Sequence, residues 1–210
     1  MRLSAIISFL VLSAVEPVMA QNAYMRLGRQ ALMDGNFKAA VTQLEKACLI
    51  DSTNSNALYM LGYSYYHSDN YAKSIATFTK QIAISPADAW AYYYRGRAKS
   101  YVGKDFQLQP AEREKYLFGA IYDLTKAIAI NPNDAKITSF YQTRAIAYRD
   151  YGVFKLQANL RTYDKIRGLN ALKASIADLE KILVNDPNRN DIATQLDLSK
   201  EKLASAVGHH

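Results

Sequence analysis

The chain repeats itself, because residues 21–54 align without a gap with residues 55–88 at a spacing of 34 residues. The matched positions are Leu27 with Leu61, Gly28 with Gly62, Phe37 with Tyr71, and Leu44 with Phe78. A unit of this length is too short to bury its own apolar face, so neighbouring copies have to supply the missing partner surface. The repeat therefore predicts an array of stacked units.

Two further copies continue the pattern with insertions. The third copy occupies residues 89–134 and has 46 residues, and the residues beyond the 34 of the first two copies lie at 104–115. Within this insertion, Pro110 predicts an early start of the second helix. The fourth copy occupies residues 138–189, and its additional residues lie at 153–170. Residues 21–189 are thus assigned to four repeats.

Each copy has the spacing of two helices joined by a turn. In the first copy, Leu27 and Ala31 precede the turn at Asp34, Gly35 and Asn36, and apolar residues at helical spacing follow it. Residues 190–210 predict a capping helix with a tail, in which Ile192, Leu196, Leu203 and Val207 cover the end of the array. With only five Pro and nine Gly in 210 residues, the chain is predicted to be all-α.

These features resemble the tetratricopeptide repeat. In that family small residues at set positions let two antiparallel helices approach closely, and here these are Gly28, Ala40 and Ala47 in the first copy. The second and fourth copies depart from the pattern, for example at Gln81 and Ile182. The resemblance implies an all-α, right-handed α-solenoid of four tetratricopeptide-like hairpins plus a C-terminal capping helix.

The N-terminal 20 residues have the pattern of a secretory signal peptide. Arg2 precedes an uncharged apolar run of 13 residues at 3–15, and small residues end at Ala20, which predicts cleavage before Gln21. A membrane anchor is the alternative, although a span needs about 20 apolar residues. We therefore expect an exported protein, periplasmic or extracellular, with no transmembrane span after cleavage and no nucleic-acid partner despite a net charge of +7.

No catalytic arrangement is visible in the sequence. His67 is the only histidine before the terminal pair His209 and His210, so neither a histidine-based triad nor a two-histidine metal site can be assembled from the repeats. Neither a phosphate-binding glycine loop nor a dinucleotide fingerprint is present. We expect a non-enzymatic protein with no catalytic residue, no metal and no cofactor.

The single cysteine, Cys48, lies in an apolar run of the sequence. It is either a packed side chain or a reactive thiol.

The resemblance implies a concave groove lined by set positions of the first helix of each copy. Projected onto this sequence, the proposed groove residues are Arg29, Tyr59, Tyr63, Tyr66, Trp90, Tyr93, Arg97, Tyr101 and Arg149. The tyrosines of the second copy are spaced i, i+4, i+7, and the residues of the third i, i+3, i+7, i+11, so each set follows one helix face. Either these side chains bind a partner, or the rings pack against one another.

An aromatic, basic groove predicts a protein-binding scaffold that holds a peptide or protein segment and helps to assemble an envelope complex. Recognition of a glycan or an anionic envelope polymer is the alternative. Self-association through residues 153–170 is a third. There Leu156, Leu160, Tyr163 and Ile166 have an amphipathic helical spacing. The insert is either an elongated helix pair that packs on the array or a dedicated element that meets a partner or a membrane surface.

Overall fold

A computed structural model describes residues 19–208, which form helices, turns and loops with no strand in that range. The helices are α1 (19–33), α2 (Phe37–Ile50), α3 (Ser55–His67), α4 (Tyr71–Ile84), α5 (Ala89–Gly103), α6 (Pro110–Ile130), α7 (Ile137–Lys155), α8 (Lys165–Asn185) and α9 (Asn190–Gly208). The predicted signal sequence, up to residue 18, and the terminal histidines lie outside the described residues. Within 19–208, no helix has both the length and the apolar character needed to cross a membrane.

Recurring side-chain caps start several of these helices. The Asn36, Asn54 and Asn70 side chains each accept a hydrogen bond from the backbone N–H three residues on, at 3.1, 2.9 and 3.2 Å. Asp88 and Asp164 do the same for α5 and α8. Each cap satisfies a backbone donor that the helix leaves free.

The turns inside the first two hairpins have the same backbone geometry. Gly35, between α1 and α2, has φ +70°, and Asp69, between α3 and α4, has φ +58°. The two residues are 34 positions apart, so the repeat imposes a left-handed turn at both. Glycine adopts that conformation freely, and aspartate is among the residues that tolerate it best.

The chain divides into two compact units, and the first ends at Pro86. In this unit a Cβ added at Gly28 would lie 2.6 Å from Leu44 Cγ, and one added at Gly62 would lie 2.9 Å from the Phe78 ring. Glycine at these positions therefore lets a large residue of the second helix lie against the backbone of the first. Leu27, which the helical spacing places with the inward apolar residues of the first copy, is exposed.

The second unit begins at Ala87 and contains α5–α9, which pack in sequence, each against the next. Its core includes Tyr93, Leu124 and Phe140. The last helix buries Ile192 and Leu196 against Ala145, Leu179 and Ile182, whereas Val207 is exposed. The capping contact is therefore made by the first two turns of α9, and Val207 does not contribute to it as predicted.

Buried ion pairs join the helices of each hairpin in the second unit. Arg95 holds Asp123 through two hydrogen bonds of 2.8 and 2.7 Å, and Lys99 lies 2.8 Å from the same carboxylate. Arg144 and Asp178 form an equivalent pair at 2.8 and 2.7 Å. Because both carboxylates are buried, removing either one would leave a cation without its counter-charge away from water.

The two insertions lengthen α6 and α8. Helix α6 begins at Pro110, which confirms the predicted early start. The helical spacing predicted through Leu156, Leu160, Tyr163 and Ile166 is wrong, because residues 156–164 form a non-helical connection in which the chain reverses between α7 and α8. The insert instead belongs to an elongated helix pair, since α7 has 19 residues and α8 has 21 and the two pack together.

Cys48 lies half-buried on α2, and burial raises the pKa of its thiol to about 11. Because only the thiolate reacts quickly, we expect iodoacetamide to modify Cys48 in the folded protein at pH 8 roughly 100-fold more slowly than in the denatured protein. Mass spectrometry over a labelling time course measures both rates. Equal rates would show that the thiol is accessible and ionised.

Candidate functional site

The aromatic residues of α3 contact one another in the first unit. The Tyr63 ring lies 4.3 Å from His67 and meets Phe37 edge-on at 6.2 Å, and His67 stacks on Phe37 at 4.7 Å. Tyr59 meets Phe78 edge-on at 5.9 Å. Tyr59 and Tyr63 remain partly exposed, so one side of this cluster packs while the other faces solvent.

Two predicted groove residues of the first unit have opposite environments. Tyr66 is 5% exposed and packs against Tyr71 at 5.7 Å between ring centroids, so its ring is buried beneath the aromatic residues of α3 that face solvent. Arg29 on α1 is exposed. The spacing that grouped Tyr66 with Tyr59 and Tyr63 did not reveal its burial against the neighbouring helix.

In the second unit, Trp90 and Tyr93 join α5 to α7. Tyr93 is 5% exposed, stacks on Phe140 at 4.7 Å, and has its hydroxyl 3.2 Å from the Thr143 hydroxyl. Trp90 meets Phe140 edge-on at 4.9 Å, and Lys136 Nζ lies 5.6 Å from the Trp90 ring. Tyr93 therefore fixes the two helices, and the half-buried Trp90 rests on the same ring.

Further along α5, the predicted residues become more accessible. The Arg97 guanidinium lies 5.4 Å from the Tyr93 ring and 5.8 Å from the Tyr94 ring, so aromatic faces hold its orientation. Tyr101, one helical turn later, is 48% exposed, and Lys104 Nζ lies 5.9 Å from its ring. Tyr101 is thus the most accessible aromatic residue among those predicted on α5.

A basic pocket of about 400 Å³ lies next to Tyr101, where residues of α5, α6, α7 and α9 meet. Its charged lining residues are Lys104, Arg113, Arg149, Asp150 and Lys202. Lys104 pairs with Asp150 at 2.6 Å, and Arg113 donates to the Gly103 carbonyl at 3.2 Å. We call this feature the basic pocket; four cations and one carboxylate line it.

Arg149, predicted from its helix position, contributes a buried donor to the basic pocket. Its Nη1 atom is buried and has no hydrogen-bond partner among residues 19–208. A buried donor without a partner costs free energy, and an incoming acceptor relieves that cost. The geometry therefore favours a carboxylate or another oxyanion. Sequence reasoning missed Lys104, Arg113 and Lys202, because they come from a helix end and from helices outside the predicted groove.

The residues 19–208 contain no cluster of His, Cys, Asp and Glu side chains that could hold a metal ion. The arrangement on α5 and α7 is suited to recognition: an exposed ring offers contact area, and guanidinium groups offer directed hydrogen bonds. By its fold, the protein belongs to the all-α helical-repeat class.

Comparison with known proteins agrees with this class. Residues 55–88 match the family model of the tetratricopeptide repeat. A stretch of 73 residues is 33% identical to Protein SGT1 homolog of Bos taurus, covering 35% of this chain and 20% of that protein. The match therefore spans about a fifth of the length of that bovine protein.

Solved structures show the same fold over most of the chain. MamA from Desulfovibrio magneticus has a TM-score of 0.55 at 15% identity, with 89% of this chain and 96% of that chain covered. The pilF protein of Pseudomonas aeruginosa has a TM-score of 0.54 at 19% identity, with 90% and 71% covered. The chain therefore contains a tetratricopeptide repeat at 55–88 and shares its all-α fold with these solved structures. Proteins with this repeat are generally protein-interaction scaffolds.

Proposed function

We propose that the protein is a non-enzymatic scaffold whose α5–α7 surface binds an acidic segment of a partner protein. This surface comprises Arg97 and Tyr101 of α5 and the basic pocket with Arg149. The observation that carries the proposal is the buried Nη1 of Arg149, which has no partner within residues 19–208 and lies in a pocket beside an exposed tyrosine. The aromatic cluster around Tyr63, with Arg29 on α1, is proposed as a further contact surface in the first unit.

The proposed setting is the assembly of an envelope complex. It rests on the sequence of residues 1–20, whose pattern is that of an export signal. Detection of the protein in a periplasmic or extracellular fraction, and a mature N-terminus at Gln21, would support this part of the proposal.

Recognition of a glycan or an anionic envelope polymer is a second candidate, favoured by the same excess of cations in the basic pocket. The two candidates differ in their dependence on salt. Polymer binding through charge weakens steeply as ionic strength rises, whereas anchoring by an aromatic ring in a folded pocket weakens less. Binding measured between 50 and 500 mM NaCl separates them.

The double variant Tyr101→Ala, Arg149→Gln should reduce capture of partner proteins from extracts of the native host by about tenfold or more. It removes the exposed ring of Tyr101 and the guanidinium of Arg149, whose Nη1 atom has no hydrogen-bond partner among residues 19–208. Neither side chain belongs to the apolar core. Quantitative mass spectrometry of proteins retained by the immobilised chain measures the effect.

Tyr163→Ala is the matched control for this experiment. Tyr163 is 45% exposed against 48% for Tyr101, and it does not line the basic pocket. The control should keep the captured partners. Unchanged capture by the double variant, with unchanged helical content, would rule out the α5–α7 surface.

A further inference from the structure

The largest cavity described in the second unit lies away from the α5–α7 surface. It has a volume of about 840 Å³ and is formed by α6, α7 and α8. Its lining includes Lys115, Phe118, Tyr122, Tyr148, Tyr151 and Arg167. We call it the α6–α8 cleft.

The two insertions in the repeat pattern build this cleft. Helices α6 and α8 each have 21 residues, whereas α2 and α4 each have 14, so each insertion adds about two helical turns. Lys115 belongs to the added turns of α6, and Arg167 and Asn170 belong to those of α8. The cleft is therefore a feature of this chain, since a hairpin of 34 residues lacks these walls.

A hydrogen-bonded network holds one end of the cleft. Glu114 accepts hydrogen bonds from Lys155 Nζ at 3.0 Å and from the Tyr151 hydroxyl at 3.3 Å. Lys155 is buried, and burial raises the pKa of Tyr151, so the phenol stays protonated and continues to donate at neutral pH. This network joins α6 to α7 and fixes the added turns, which gives the cleft a preformed shape.

The α6 wall is aromatic and accessible. Phe118 and Tyr122 are 57% and 54% exposed and follow each other at i, i+4, so they form one stripe along the cleft. Phe118 contacts Tyr151 at 5.8 Å between ring centroids, and the rest of its surface faces solvent. Two large rings side by side at this exposure are typical of a surface that binds an apolar partner.

The rim of the cleft carries an excess of positive charge. Lys115 and Arg167 line it, and Lys126 lies over the Tyr122 ring at 5.8 Å. Two nearby carboxylates are balanced by cations: Glu114 pairs with Lys155, and Asp164 pairs with Arg167 at 3.3 Å. Lys115 and Lys126 therefore supply the excess of positive charge at the rim, which favours an occupant with acidic flanks.

We propose that the α6–α8 cleft binds an acidic amphipathic helix of a partner protein, independently of the α5–α7 surface. The α6 residues that line the cleft run from Glu114 to Thr125, which is about 16 Å or three turns at 1.5 Å per residue. A helix of that length presents apolar side chains at i, i+3, i+4 and i+7, matching an aromatic stripe between two walls. Its acidic residues meet Lys115, Lys126 and Arg167.

The test uses designed probes. A fluorescein-labelled 16-residue peptide carries Leu and Phe at i, i+3, i+4 and i+7 positions with Glu elsewhere, and a second peptide replaces every Glu by Lys. Fluorescence anisotropy with the purified protein measures both affinities. We expect the acidic peptide to bind at least tenfold more tightly than the basic one. Equal affinities would overturn the proposal.

The variant Phe118→Ala, Tyr122→Ala should weaken binding of the acidic peptide at least tenfold, and Lys115→Gln, Lys126→Gln should weaken it and flatten its salt dependence. All of these variants are compared in the Tyr101→Ala, Arg149→Gln background, which removes the contribution of the α5–α7 surface and keeps a failure here separate from a failure of that surface. Phe106→Ala, which removes an 82% exposed ring, is the control and should leave binding unchanged. The exposed positions should keep the circular dichroism spectrum unchanged. Unchanged binding by the cleft variants would overturn the proposal.

A second copy of the chain is the competing occupant. Sedimentation velocity of the wild type and of Phe118→Ala, Tyr122→Ala over a range of concentrations distinguishes it. We expect the two proteins to sediment alike. Self-association of the wild type that the variant abolishes would overturn the partner-helix proposal in favour of a homomeric contact.

Discussion

Replacing Asp123 by Ala is expected to lower the free energy of unfolding by about 3–5 kcal/mol, which is the range typical of removing one partner of a buried ion pair. Asp123 is fully buried and accepts two hydrogen bonds from Arg95 while pairing with Lys99 at 2.8 Å. Its removal leaves two largely buried cations without their counter-charge. Urea unfolding followed by circular dichroism measures the loss.

The control is Lys73→Ala, which breaks an exposed pair with Glu45 at 3.3 Å. Exposed pairs contribute about 1 kcal/mol or less, so this variant should stay close to the wild type. A second comparison replaces Arg95, Lys99 and Asp123 together by Met, Met and Leu, which should recover much of the lost stability because no charge is left unpaired. A loss below about 1 kcal/mol for Asp123→Ala would show that solvent reaches the pair.

Replacing Phe140 by Ala should cost about 3–5 kcal/mol, because the side chain is fully buried and its removal leaves a cavity. Phe140 also touches Tyr93 at 4.7 Å and Trp90 at 4.9 Å, so its loss removes the support of both rings. Trp90 is the single tryptophan of the chain, and its fluorescence should shift to longer wavelength as water reaches it. Urea unfolding and the emission spectrum measure the two effects.

Phe106→Ala is the control for this prediction, because Phe106 is 82% exposed. Truncation of an exposed ring should change the free energy of unfolding by about 0.5 kcal/mol at most, and the Trp90 spectrum should stay the same. A wild-type spectrum for Phe140→Ala would mean that the neighbouring side chains close over the gap.

The sequence predicted the hairpins well because the signals are local. The Leu-Gly pairs at 27–28 and 61–62 and the asparagine caps recur with the period, and each acts within a few residues. One buried ion pair has a signal in the sequence: Arg95 stands where the second copy has Leu61, which is buried. A charge in place of a buried leucine requires a buried counter-charge, and Asp123 supplies it.

The candidate surfaces were harder to predict, because helical spacing gives a residue's direction on its own helix but not what covers it. Tyr66 and Tyr93 share a face with exposed neighbours and are nevertheless buried, by Tyr71 in one case and by Phe140 in the other. The basic pocket gathers Lys104, Arg149 and Lys202 from separate helices, so no short segment contains its pattern.

By itself, the sequence determined that this chain is an array of tetratricopeptide-like hairpins with two insertions, because periodicity, caps and turns act over distances of one repeat. Only the tertiary structure decided which tyrosines are accessible and that the insertions extend α6 and α8 into the walls of a cleft. Those outcomes depend on contacts between residues far apart in the chain, such as Glu114 with Lys155, whose energies are set by burial and distance.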